Sequence, residues 1–271
     1  MERGTRAEVP FSSHWTYAGG TLTCDGVPLP EIAAAHGTPT FVYSAACVDH
    51  AFDRLAAAVP EPCLIAYAIK ANSNLHLLGR LAARGCGADI VSGGELRRCL
   101  QAGMDPAKIV FSGVGKTDAE LRLALETGIR AVHVESAPEI DALEAIAEDM
   151  GVRAPMTLRV NPDVDPDTHP YIATGLHDTK FGLELDVARA LLPRVIDSPH
   201  LRLEGVACHI GSQLGGPDPM RDATEILARF AVECVRAGAE LRCIDAGGGW
   251  PIRYGDRKST RLNSSHRIAS R

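Results

Sequence analysis

From about Cys63 to Gly249 the chain alternates short apolar runs with amphipathic stretches. That rhythm restricts it to a parallel β/α sheet, either doubly wound or closed into a barrel. The apolar runs predict strands over 63–69, 87–91, 108–111, 131–134, 156–160, 203–209 and 241–245. Helical patterns fall between them, near 74–84, 93–102, 117–127, 137–150, 186–196 and 219–237. Thr117 followed by Glu120, and Ser136 followed by Glu139, are helix-start signals, and glycines at 85, 103, 128, 151 and 238 stand where helices should stop. A closed barrel needs eight strands and seven are counted. The expected fold is therefore α/β, a TIM-type (β/α)8 barrel incomplete at its C-terminal end, cut before its last helix and strand.

Three regions break the rhythm. Residues 1–43 carry short apolar pieces at Thr21–Val27 and Thr40–Tyr43 among turn residues. They read as strands of a mostly absent β domain. Residues 161–182 form a long Pro- and Asp-rich connection, of the length usually kept for function. Its carboxylate spacing and missing terminal glutamate do not match a calcium loop. Residues 257–271 hold five Lys/Arg and no Asp/Glu, with neither a strand nor a helix signature, and are expected to be a foreign or disordered tail. The domain plan is thus 1–43, a barrel over 44–256, and the tail.

Without that tail 23 basic residues face 34 acidic ones, a net charge of −11, which argues against a nucleic-acid surface. No apolar run approaches the length of a membrane span, and Met1–Trp15 lacks the apolar core of a secretory signal, so a cytoplasmic location is expected. Eight scattered cysteines without a Cys-x-x-Cys pair read as reduced thiols, with no disulfide framework and no metal site.

Lys70 carries the strongest chemical signal. It closes the apolar run Leu64–Ile69, at the mouth of a parallel sheet, where loss of solvent would favour a neutral, nucleophilic amine. Lysine is scarce here, 5 against 23 Arg, and arginine cannot form a Schiff base. A strand-end lysine that snorkels to solvent is the plain alternative. Three further clusters lie just past strand ends, where barrel enzymes keep their sites: Asp89–Glu95, His209–Gln213 and Asp245–Trp250. Gly247, Gly248 and Gly249 offer unobstructed N–H groups suited to a phosphate, and Ser212 could add a hydroxyl. By themselves three glycines are also a plain turn, and His209 a core histidine; together with Lys70 they fit a flat imidazole stacked on an aromatic cofactor. Gly113–Thr117 resembles a P-loop, but residue 110 is Val110 where that motif needs glycine. A Gly-x-Gly-x-x-Gly helix start after the first strand is also missing, against a nicotinamide site.

Strand-end lysine, phosphate nest and stacking imidazole describe a pyridoxal phosphate site. Over about residues 20–256 the chain resembles the diaminopimelate decarboxylase family, whose fold is shared with alanine racemase and eukaryotic-type ornithine decarboxylase. The resemblance rests on Tyr67–Asn74, Gly87–Leu96, Glu135–Ser136, Arg159–Val164, His169–Gly175, Lys180–Gly182, Cys208–Gln213 and Asp245–Gly249, in family order. It implies that Lys70 holds pyridoxal 5'-phosphate covalently, that His209 stacks on its ring, and that Ser212, Gly247, Gly248 and Gly249 bind its phosphate. Asp89 and Arg159 would line the site, and the Thr168–Gly175 and Lys180–Gly182 segments would face the substrate. Lys180, in a polar loop, is the rival lysine.

The implied activity is decarboxylation of meso-diaminopimelate to L-lysine, in a homodimer acting on a small amino acid. The family's Glu-x-Gly-Arg segment and C-terminal β domain are missing from this chain, so the chain alone is expected to be inactive, and none of its cysteines takes the role of the one in that domain. A related decarboxylase of ornithine, arginine or a polyamine precursor, a racemase of the same barrel, a non-catalytic cofactor-binding protein, and a non-enzymatic protein whose basic tail 257–271 is the functional, partner-binding part are the competing readings.

Overall fold

The structure, a computed structural model, describes residues 14–164, 181–212, 214, 216–253 and 262–264. The chain divides into two compact units, one containing the described residues up to Cys63 and the other Leu64–Ile252.

In the first unit β1 (Trp15–Ala18), β2 (Thr21–Cys24) and β3 (Val27–Pro28) form an antiparallel sheet in sequence order. Of the two pieces expected in this region, Thr21–Val27 is strand, as β2 and the start of β3, and two helices that the sequence reading missed follow, α1 (Leu29–His36) and α2 (Ala45–Ala58). Residues 40–43 form no strand; Phe41 and Tyr43 are exposed and stack on each other at 6.5 Å. The Asp25 carboxylate accepts the Ser44 hydroxyl at 2.7 Å, and Ser44 caps α2 by accepting the Cys47 N–H at 2.9 Å. By packing, this unit continues through α2, past residue 43.

The second unit repeats strand and helix. Its elements are β4 (Ala66–Ala68), α3 (Leu75–Ala83), β5 (Gly87–Ile90), α4 (Gly93–Gln101), β6 (Ile109–Phe111), α5 (Asp118–Thr127), β7 (Ala131–Val134) and α6 (Ala137–Met150). They are followed by β8 (Ala154–Asn161), β9 (Leu183–Glu184), α7 (Leu185–Asp197), β10 (Leu201–Ala207), α8 (Asp218–Arg236) and β11 (Cys243–Asp245). Seven strands form one sheet in the order β11-β10-β8-β7-β6-β5-β4, every adjacent pair parallel. The short β9 pairs with the far end of β8, Val160 opposite Leu183. All seven strands and six helices expected after Cys63 are present.

β6 and β7 are buried at every position, as strands covered on both faces must be. The helices bury one stripe each: Ile140, Leu143, Ile146 and Ala147 on α6, and Met220, Ala223, Leu227, Phe230, Ala231 and Cys234 on α8. Between β10 and β11 the approach is so close that a Cβ on Gly205 would strike the Cys243 carbonyl oxygen.

The sheet curls. In a flat sheet strands three places apart lie about 14 Å from each other. Yet His133 on β7 brings Nε2 to 3.8 Å from Asp245 Oδ2 at the end of β11, across the concave face. The sheet is an open, curled half-barrel, the incomplete barrel that the strand count implies.

Two short strands, β12 (Pro251–Arg253) and β13 (Leu262–Ser264), pair with each other. The second falls where the sequence shows no strand signature; a three-residue ladder uses backbone groups that any sequence supplies.

Candidate active site

Because all seven strands are parallel, the residues that follow them share one rim. Lys70 lies in the short 3₁₀ turn Ile69–Ala71 directly after β4. Ile69 is buried, whereas Lys70 is exposed, so the loss of solvent expected for its amine is not present. The strand ends at residue 68 and the turn swings the next side chain outward. The charge of Lys70 still acts on the Asp89 and Glu95 carboxyls, favouring their ionised forms against the burial that raises both.

Asp89 stands on β5, one register step from the rim. Its Oδ1 is sealed from solvent without a hydrogen-bond partner among the described residues, and burial pushes the carboxyl upward. Ser112, just past β6, bonds to Asp89 and lies 3.2 Å from His133 Nδ1. His133 is 3% exposed, and burial pushes its imidazole down to about 4, so it is neutral near pH 7. Through Nε2 it faces Asp245. A polar line thus runs from the Lys70 side of the rim to the glycine loop.

The glycine loop itself is built by close backbone approach. A Cβ on Gly247 would lie 2.5 Å from the Cys208 carbonyl oxygen and 3.1 Å from His209 Nδ1, and one on Gly249 would strike the Gly211 carbonyl. Both glycines also have positive φ, 76° and 101°. Gly247 N–H donates to Asp245 Oδ1 at 2.8 Å, and Gly248 N–H to His209 Nδ1 at 3.3 Å. Accepting there places the ring proton of a neutral His209 on Nε2. Two N–H groups of the expected nest are therefore turned to side chains in this structure. Ser212 lies beside the loop, its Cα 3.4 Å from the position a Cβ on Gly249 would take.

Arg159, at the end of β8, is buried and donates from Nη1 to Glu135 Oε1 at 2.7 Å. The same oxygen accepts the Gly113 N–H at 2.8 Å. Arg159 lies over the Phe181 ring at 5.9 Å, and its charge favours the ionised form of Asp245. Lys116, rejected as a P-loop lysine, has a fully buried side chain. Its Nζ bonds to the carbonyls of Gly113 and His133 at 2.6 and 2.7 Å and to Glu139 Oε1 at 2.5 Å. Burial lowers its amine while the Glu139 charge opposes that shift.

The structure therefore groups Lys70 with Asp89, His209 with Gly247, Gly248, Gly249 and Ser212, and Arg159 with Asp245. Sequence reasoning missed Ser112, His133 and Lys116, and saw Glu135 only as part of a resembling segment. The available signal was position, since each stands at or just past the end of β6 or β7. Glu139 was read as a cap. Ser136 does accept its N–H at 3.3 Å, but the Glu139 carboxylate turns to the Glu135 N–H at 2.7 Å instead of closing a box on Ser136. Thr168–Gly175 and Lys180 lie outside the described residues.

These residues fit pyridoxal phosphate in donor chemistry: an accessible amine, a glycine loop, a buried guanidinium and a flat imidazole on one rim. Three buried polar atoms are without partners among the described residues: Asp89 Oδ1 on β5, Glu135 Oε2 just past β7 and Thr157 Oγ1 on β8. Such atoms are costly unless a ligand or water meets them.

Residues 45–269 match the family described as pyridoxal-dependent decarboxylase, pyridoxal binding domain. Diaminopimelate decarboxylases from Pseudomonas aeruginosa and Vibrio cholerae are each 48% identical, over 89% and 88% of this chain and 59% and 57% of their own length. The solved diaminopimelate decarboxylase from Helicobacter pylori, complexed with L-lysine, has a TM-score of 0.80 and 40% identity, over 84% of this chain and 58% of that one. For the enzyme from M. jannaschii in co-complex with L-lysine the TM-score is 0.84 at 34% identity, over 95% and 61%. The chain thus spans about three-fifths of the length of these relatives. Identity at this level on a shared half-barrel, over 89% of the chain in one relative, makes it a member of the pyridoxal-dependent decarboxylase family, within the pyridoxal binding domain.

Proposed function

We propose that this chain is the cofactor-binding barrel of a diaminopimelate decarboxylase, which converts meso-diaminopimelate to L-lysine. The observation that carries the reading is that Lys70 and the His209–glycine loop assembly follow parallel strands of one curled sheet, in a chain 48% identical to two diaminopimelate decarboxylases. Bound pyridoxal phosphate supplies an electron sink for the bond that releases carbon dioxide.

The chain's own residues do the rest. The exposed Lys70 amine would hold the cofactor by condensing with its carbonyl, with loss of water. His209, packed against Gly247 of the glycine loop, would offer a flat ring face to the cofactor. The loop Gly247–Gly249 with Ser212 binds phosphate once its N–H groups turn from Asp245 and His209. Arg159, neutralised on one side by Glu135, presents donors to an anionic group of the ligand. Asp89, on the neighbouring strand, feels the charge of Lys70 and lines the site beside it.

The same proposal places the enzyme in the cytoplasm as a homodimer, with the active site completed by segments outside this chain. Eight free cysteines support a reducing compartment, and among the described residues no helix is long and apolar enough to cross a membrane.

The test is to incubate the chain with pyridoxal phosphate, reduce with borohydride, and map the modified peptide by mass. Stoichiometric label at Lys70, lost in Lys70→Ala, is the expected result. Label spread over Lys108 and Lys180 would overturn the assignment; Lys116, buried and bonded on three sides, should stay unlabelled. In a full-length enzyme Lys70→Ala should abolish lysine release.

A further inference from the structure

Beneath the rim lies a connected set of four charges, of which the proposed reaction uses Arg159 and its partner Glu135 but gives no role to Lys116 or Glu139. Lys116 and Glu139 pair at 2.5 Å with the lysine side chain 0% and the carboxylate 11% exposed. Glu135 and Arg159 pair at 2.7 Å, 2% and 10% exposed. The two pairs are joined through backbone. Glu139 Oε2 accepts the Glu135 N–H at 2.7 Å, and Glu135 Oε1 accepts the N–H of Gly113, whose carbonyl in turn accepts from Lys116 at 2.6 Å. Two cations and two anions balance, so the array holds no net charge in a region where an unpaired one would be costly.

We infer that Lys116 and Glu139 are positioning residues that fix the Arg159 guanidinium for the bound ligand by locking Glu135 from behind. This deepens the cofactor reading and rests on it. The geometry argues for a directional device. Each contact in the path restrains the next: Lys116 anchors the Gly113 carbonyl and the Glu139 carboxylate, these two fix the backbone at 113 and 135, and Glu135 then presents one oxygen to Arg159. A long side chain at a strand end has several rotamers, and holding it in one reduces the entropy lost when it meets a ligand. The path reaches from α6 across β7 to β8, so the helix that packs behind the sheet sets a side chain on the rim. The orphaned Glu135 Oε2 marks the place where the array is incomplete without something more.

The experiment is a double-mutant cycle on pyridoxal phosphate affinity, read by visible absorbance and by the fraction of Lys70 trapped with borohydride. One arm is the charge-balanced pair Lys116→Met with Glu139→Gln. The other is Glu135→Gln with Arg159→Met, also balanced, and the fourth corner combines them. Thermal melts confirm that each variant is folded. The first arm should weaken binding about tenfold, and the second by more. The combined variant should bind no worse than the second arm alone, because the first acts only through Arg159. Losses that multiply, or a first arm that binds like the parent, would overturn the inference. If the combined variant fails to fold, the isosteric Glu139→Gln alone decides: unchanged affinity refutes, and about threefold or greater weakening supports. A parent chain that binds no cofactor and shows no label at Lys70 would overturn the proposed function itself, whereas normal parental labelling with a multiplicative cycle removes only this inference.

Discussion

Replacing His133 by asparagine should remove a pH dependence of stability that the fold builds into the chain. His133 is 3% exposed on β7, and burial takes its imidazole from 6.5 to about 4. Its folded value is depressed, so its contribution is fully present above pH 6.5. As pH falls below that value the unfolded chain takes the proton while the folded one refuses it, and the contribution is gone by about pH 4. At about 1.4 kcal/mol per unit, this shift corresponds to about 3 kcal/mol. That is a large share of the ~5–15 kcal/mol that holds a domain together. Asp89 acts in the opposite sense, since burial raises its carboxyl and the folded chain then binds that proton first as pH falls. The parent curve therefore mixes the two, and the informative quantity is the difference between parent and His133→Asn. Urea unfolding at intervals from pH 7.5 to 4 should show a constant offset above 6.5, reflecting lost packing. Below it the parent's relative stability should fall by about 3 kcal/mol. A difference that stays flat through that window would falsify the buried, neutral imidazole.

Three further outcomes are expected. Gly249→Ala places a Cβ against the Gly211 carbonyl at a φ of 101°, so the two loops must part; cofactor affinity should drop at least about tenfold, a loss of ~1.4 kcal/mol, with the far-ultraviolet circular dichroism unchanged. Arg159→Met alone leaves Glu135 charged and buried without its cation, and should cost about 3–5 kcal/mol in urea unfolding, whereas the balanced pair with Glu135→Gln should recover most of that. Thr117→Ala removes the hydroxyl of a true capping box with Glu120 and should cost about 1 kcal/mol, read as a lower unfolding midpoint with no change in cofactor binding.

Much of the barrel was legible because β/α repetition is written locally. Short continuous apolar runs mark the strands and a period of 3.6 the helices, and Gly128 and Gly151 end α5 and α6 in the left-handed conformation as their positions suggest. The helices α1 and α2 escaped notice because neither carries a strong apolar stripe: α1 buries no residue, and α2 buries only Asp49 and Phe52. Lys70, His209 and the glycines were visible as rare residue types at strand ends. The burial foreseen for Lys70 was not present, since a strand ending one residue earlier turns its side chain to solvent.

The order of strands and helices, the parallel sheet, its open count of seven and the rim on which chemistry must lie are properties of the linear pattern. A helix between successive strands carries the chain back to start the next strand in the same direction, so all the strands end on one rim. The sequence could not say which side chains meet across the concave face. His133 and Asp245 stand on strands three places apart in the sheet and lie 3.8 Å from each other only because the sheet curls. Nor could it show that Lys116, set in a false P-loop, is buried and neutralised by Glu139. Those pairings depend on curvature, register and exclusion of water, which arise only when the elements pack together.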